Sequence, residues 1–307
     1  MPEAFARRTA WNGPAALKYW HLASLDAPSV AVAWACVFAW AAQVRVAPGM
    51  VAVLALAVWV IYVTDRLLDA RAGLDGFGGH NLQERHWFHW RHRRALGVLA
   101  GIVAVAAGWM IVSRLHAEAL GRDSLMGLAT LAYFSGVHGS GVHGRGLRSG
   151  WVAGLKERVA RVVSRELIVG VIFSAGCLVP VLPVTPSGVV RVCVQLALPA
   201  AAFAALAWLN VKAIGCWESV TPASGRERGV RRIAFLLAAV CGGCGIAMAG
   251  LEPRVGLLMA LAAVSSLLLA WLDGARARMD AVTLRAAADL VLLTPVLLLI
   301  PIGVTAR

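Results

Sequence analysis

The sequence predicts an all-α polytopic membrane protein, one bundle of nine transmembrane helices in a single domain spanning residues 1–307, and three observations carry that expectation. Hydrophobic residues make up 60% of the 307 and charged residues only 15%, with a mean hydropathy of +0.73. One soluble core of this size has no room for so much apolar surface. The apolar residues gather in nine runs near the length of about 20 that crosses a bilayer, without the alternating ten-residue pattern of a barrel. Finally, 23 of the 29 Lys and Arg fall in the N-terminal segment and every second connection, leaving 6 on the other side. By the positive-inside rule, this predicts a multi-pass protein of the inner (cytoplasmic) membrane with the N-terminus in and the C-terminus out.

The nine runs lie at about 28–44, 49–69, 95–113, 124–138, 166–184, 192–214, 233–250, 255–272 and 286–305. Asp26-Ala27-Pro28 opens the first, with Asp placed to cap and Pro in the first turn. The second ends on Asp65 and Asp69, and the third follows a basic stretch closing at Arg94. Gly127 and Gly136 interrupt the short fourth, and Arg165-Glu166 begins the fifth. The sixth ends in a polar segment from Asn210 to Glu218. Cys241 and Cys244 in the seventh have C-x-x-C spacing, but among Ala and Gly inside a helix they read as small packing residues. The ninth carries Asp289 one turn after Arg285, as an intrahelical pair or a polar contact to the interior. Cytoplasmic loops are expected at about 70–94, 139–165, 213–232 and 273–285. Residues 1–25 hold no apolar core, so no cleavable signal peptide is expected. The net charge of +13 fits anionic headgroups without invoking nucleic acid.

Asp65 and Asp69 stand one helical turn apart on one face, with about 6 Å of rise between them. Like charges so placed call for a cation, either Arg66 and Arg71 or a hard ion such as Mg2+. Both remain open on spacing alone. Intramembrane polar groups face the bundle interior, so Asp65, Asp69, Asn210 and Glu218 are expected at one level of the cytoplasmic half. A surface pair of Lys212 with Glu218 is the alternative.

With nine spans, an inside N-terminus and acids closing the second and sixth, the chain resembles the UbiA superfamily of intramembrane prenyltransferases. That family carries N-x-x-x-D-x-x-x-D on its second helix and a D-x-x-x-D type motif on its sixth. Here Ile61, Asp65 and Asp69 keep both first-motif acids, and Asn210, Ile214 and Glu218 keep the second motif's steps with one acid. Arg165 to Gly170 is similar to the family's polar start of helix five. Where the family often has Y-x-x-x-K, Tyr133 is followed by Val137. The resemblance implies transfer of a prenyl group from an isoprenoid diphosphate to an aromatic or lipid-like acceptor, dependent on Mg2+. It implies Asp65, Asp69 and Glu218 as catalytic and metal-binding residues. Diphosphate contacts would come from Arg66, Arg71, Lys156, Arg165, Lys212 and Asn210, and Tyr62, Tyr133 and Trp217 would line the prenyl side.

Such chemistry needs cations on the leaving diphosphate and a dry apolar cavity with ring faces near the carbocation. The segment from Glu84 to Arg94 mixes His, Trp and Arg, and reads as an interfacial helix that could lie over the Asp65 and Asp69 site as a lid. Glycines upstream of it and from Gly136 to Gly150 give conformational freedom. Two other functions stay open: an intramembrane terpene cyclase using the same diphosphate site, and a non-catalytic transporter or lipid-binding protein with a salt-bridged polar gate.

Overall fold

The computed structural model describes residues 14–77, 84–114, 124, 127, 128, 130, 164–218 and 224–299. Tyr133, Lys156, most of the expected fourth span, the glycine-rich segment from Gly136 to Gly150 and the end of the ninth span lie outside them. The described elements, in chain order, are α1 (Ala15–Leu22), α2 (Asp26–Ala42), α3 (Pro48–Phe77), α4 (Glu84–Arg91) and α5 (Arg93–Arg114). There follow α6 (Arg165–Leu178), a 3-10 turn (Val179–Val181), α7 (Pro186–Glu218), α8 (Ser224–Ala249), α9 (Pro253–Ala275), a second 3-10 turn (Arg276–Arg278) and α10 (Ala281–Val291). No strand occurs among the described residues.

Five of these helices, α3, α5, α7, α8 and α9, are long and apolar enough to cross a membrane, and a sixth crossing results if bent α1 and α2 count as one. Their outer surfaces support lipid as the solvent. Val105, Trp109 and Val112 of α5 and Phe235, Val240 and Ile246 of α8 are all exposed, Ile246 at 81%. Such apolar faces are stable only against hydrocarbon or another protein. The expected fifth span is shorter than its apolar run: α6 stops at Leu178, and Pro180 and Pro183, which lack an N–H, turn the chain out of the helix.

α2 forms the centre, contacted by α3, α6, α7, α9 and α10. Trp34 and Phe38 of α2 and Phe203 of α7 are fully buried, with Trp34 stacked on Phe203 at 4.0 Å between centroids and 15° between planes. Phe173 of α6 adds a tilted contact at 5.7 Å, and the Trp34 indole N–H donates to the Leu292 carbonyl at 2.9 Å. Small residues bring other helices close. A Cβ on Gly170 would lie 2.5 Å from the Ala204 carbonyl oxygen, and one on Gly256 would lie 2.9 Å from the Gly245 carbonyl, so α6 meets α7, and α8 meets α9, backbone to backbone. Cys241 is buried in that second seam beside Val255, Met259 and Ala262.

Both ends of α2 are fixed by backbone geometry that no glycine announces. α1 closes with Ser24 in the left-handed region at φ 60°, the Leu25 N–H donating to the Trp20 carbonyl and the Ser24 N–H to the His21 carbonyl. That pair of bonds is a Schellman turn, and it bends α1 against α2 by 88°. Gln43, at φ 57°, closes α2 the same way. Two side chains then satisfy helix-end carbonyls: Arg254 donates to Trp40 O at 2.8 Å and Gln195 to Ala41 O at 3.3 Å.

Candidate functional site

The 88° bend turns the end of α1 and the start of α2 toward α3, α7 and α10, where a buried polar centre forms. α2 starts at Asp26 as expected, yet Asp26 is no cap: the N-cap is Leu25, without a side-chain bond. The Asp26 carboxylate, 1% exposed, points inward. Its Oδ1 accepts from the Ala27 N–H at 3.0 Å, and its Oδ2 meets Arg66 at 2.9 Å and His21 Nδ1 at 2.7 Å. Arg66 also donates to the His21 carbonyl at 2.7 Å and lies over the Tyr62 ring at 4.4 Å. Asp289 of α10 accepts from Asn210 of α7 at 3.0 Å through Oδ1, while its Oδ2 lies 3.5 Å from His21 Nδ1. Asp289 thus makes the interior contact, and Arg285 reaches Glu218 instead.

Glu218, the last residue of α7, accepts from Arg285 of α10 at 2.5 Å and from both terminal nitrogens of Arg85 of α4 at 3.5 Å. Arg285 lies within electrostatic reach of Tyr62, Arg66, Asp26 and Asp289. The end of α7 and the Tyr62 to Arg66 turn of α3 therefore share one polar layer. Asp65 and Asp69 lie on that stretch of α3, half-buried. Among the described residues, the three acidic or His side chains whose ligand atoms meet within 4.8 Å are His21, Asp26 and Asp289.

α4 docks firmly. His89, fully buried, has its Nδ1 2.8 Å from the Arg85 carbonyl and its Nε2 3.0 Å from the Ser24 hydroxyl. A carbonyl only accepts, so Nδ1 carries the proton and Nε2 accepts from Ser24. Burial, and then the Arg66 charge, push the His89 pKa down to about 4, which keeps that neutral tautomer. Lys18 and Glu84 clip α1 to α4 at the surface. Burial likewise lowers the pKa of His86.

The remaining expected residues are distributed around this centre. Trp217 donates to Asp273 of α9 at 2.9 Å, an acid also met by Arg276 and Arg231. Lys212 sits 5.2 Å from the Trp208 ring centre. Arg165 is the exposed first residue of α6, whose cap Ser164 accepts from the Leu167 N–H. Arg71 lines a shallow groove of about 490 Å3 with Leu67, Leu68, Trp90 and Arg93. Sequence reasoning missed His21 altogether and read Asp26 as a cap. The available signal was a His five residues before an Asp, with a Pro following. Comparison with family models, curated proteins and solved structures returns no match for this chain.

Proposed function

We propose that this chain is a UbiA-type intramembrane prenyltransferase, a nine-span bundle with the N-terminus cytoplasmic and the C-terminus outside, in the inner membrane. It takes an isoprenoid diphosphate from the lipid phase and transfers the prenyl group to an aromatic or lipid-like acceptor. One observation carries the reading: Glu218 gathers Arg85 and Arg285 at the end of α7, in the same layer as Tyr62 and Arg66 on the helix that bears Asp65 and Asp69. Guanidinium groups held in a partly desolvated layer suit a leaving group that gains negative charge as its C–O bond breaks.

The donor set fits the implied ion. Asp65 and Asp69 offer hard carboxylate oxygens one turn apart, as Mg2+ prefers, and they are the residues that would hold it. When bound, Mg2+ neutralises diphosphate charge. Glu218 accepts from two arginines, so its part is to orient them toward the diphosphate. The groove beside Arg71, with Leu67, Leu68 and Trp90 as apolar wall and Arg93 as a further cation, suits a prenyl chain carrying an anionic head. The ion pairs themselves favour a second reading, a salt-bridged gate in a transporter or lipid-binding protein.

The test is release of diphosphate from a labelled prenyl diphosphate by purified protein with Mg2+ and candidate acceptors. Asp65→Ala and Asp69→Ala should abolish release, and Glu218→Gln should weaken it. Release without acceptor, with a cyclic hydrocarbon or alcohol as the product, would identify a cyclase. Absence of release at every chain length, with the variants still folded, would leave the gate.

A further inference from the structure

The cluster of His21, Asp26 and Asp289 adjoins the α3 turn through Arg66, but its own donor atoms take no part in the proposed reaction. We propose that it is a second metal site, binding a borderline divalent ion such as Zn2+, Mn2+ or Fe2+ through His21 Nδ1, Asp26 Oδ2 and Asp289 Oδ2. The three donor atoms lie within 4.8 Å of one another, with Nδ1 at 2.7 and 3.5 Å from the two oxygens. Ligands bound at about 2.1 Å to one ion stand about 3.0–3.4 Å apart, so the Asp289 oxygen is placed for it and Asp26 Oδ2 has to draw back from Nδ1 by a few tenths of an ångström.

A second observation points to a cation there. His21 Nδ1 and Asp289 Oδ2 are fully shielded from solvent yet have no hydrogen-bond partner, although they face each other and Asp26 at close range. Asn210 Oδ1, on the side chain whose amide holds Asp289, is likewise buried without a donor. A buried polar atom left without a well-directed partner costs about 1–3 kcal/mol. An ion at the centre of the cluster satisfies the imidazole and the carboxylate together, with Asn210 Oδ1 as a further oxygen. The donor types, one imidazole with carboxylates, suit borderline first-row ions better than Mg2+. Arg66 donates to the same Asp26 Oδ2 and to the His21 carbonyl, so the ion would take the second lone pair of that carboxylate oxygen. An ion here would tie the α1–α2 bend to α10.

The rival occupant is a proton on Nδ1, and the two separate cleanly. Untagged protein purified into nanodiscs without chelator is assayed for Zn, Mn and Fe by mass spectrometry. Chelator-treated protein carrying Asp65→Asn and Asp69→Asn is then titrated with Mn2+ and followed by electron paramagnetic resonance. We expect one equivalent of bound ion, an imidazole 14N coupling in the pulsed spectrum, and at least tenfold weaker binding in His21→Ala or Asp289→Asn. His86→Ala and His92→Ala should bind as the parent does. If the cluster variants misfold, the 14N coupling in the parent still decides. No stoichiometric ion, or a bound ion without nitrogen coupling, overturns the proposal in favour of the proton. Neither outcome depends on diphosphate release, so the two readings fail independently.

Discussion

Replacing Arg66 with Met is the sharpest test of the polar centre. Arg66 is 4% exposed, and Met keeps much of its volume while removing the charge. The change deletes the 2.9 Å contact to Asp26, the 2.7 Å bond to the His21 carbonyl and the stacking on Tyr62. A charged hydrogen bond is worth about 1.5–3 kcal/mol and a desolvated cation–π contact up to about 2. These overlap, and the dominant loss is the guanidinium charge opposite the buried Asp26 carboxylate, which then keeps only His21 and the Ala27 N–H. Breaking a buried pair from one side costs about 3–5 kcal/mol, and Arg66→Met should destabilise by that amount. Adding Asp26→Asn removes the orphaned charge, so the double variant should be more stable than Arg66→Met alone by about 2 kcal/mol or more. Equilibrium unfolding in mixed micelles, followed by the emission of the 12 Trp, reads all four corners of the cycle. Chelator is present throughout, so that no ion contributes. If the double variant is no more stable than Arg66→Met, charge compensation is not what Arg66 provides, and the account of the centre fails.

Three further outcomes are expected. Gly170→Ala sets a methyl 2.5 Å from the Ala204 carbonyl oxygen, so α6 must move from α7 at about 1–3 kcal/mol, measurable as a lowered unfolding midpoint that Gly176→Ala, in open space, does not share. His89 is held at about 4 against about 6.5 when unfolded, so its contribution is fully present above pH 6.5 and is lost as pH falls from 6.5 toward 4. His89→Gln should flatten the pH dependence of stability across that window, and parallel curves for variant and parent would contradict a His89 held neutral by burial. Arg254→Met uncovers the Trp40 carbonyl and should cost about 1–3 kcal/mol, detected as faster amide exchange at the end of α2.

The membrane helices were legible because lipid imposes length and apolarity on each crossing separately. Runs 49–69, 95–113, 192–214, 233–250 and 255–272 reappear inside α3, α5, α7, α8 and α9. The α1–α2 bend was not legible, since Ser24 and Gln43 adopt positive φ with no Gly to mark it. Asp26 shows why local rules mislead here. Asp before Pro at a helix start reads as a cap, but the carboxylate keeps only the Ala27 N–H on one oxygen and turns the other to Arg66, 40 residues along. The partners of Glu218, 133 residues behind in Arg85 and 67 ahead in Arg285, follow from packing that no helical period encodes.

The enclosure of α2 has a consequence for biogenesis. Of the helices packed on it α3 follows at once, but α7, α9 and α10 come much later in the chain, and the Trp34 indole finds its carbonyl 258 residues downstream. Until α10 is made, a helix bearing an acid must wait in the insertion machinery or the bilayer without its final company. Chains truncated before α9 should therefore be recognised as unfinished and degraded, making α9 and α10 a checkpoint for the rest of the bundle.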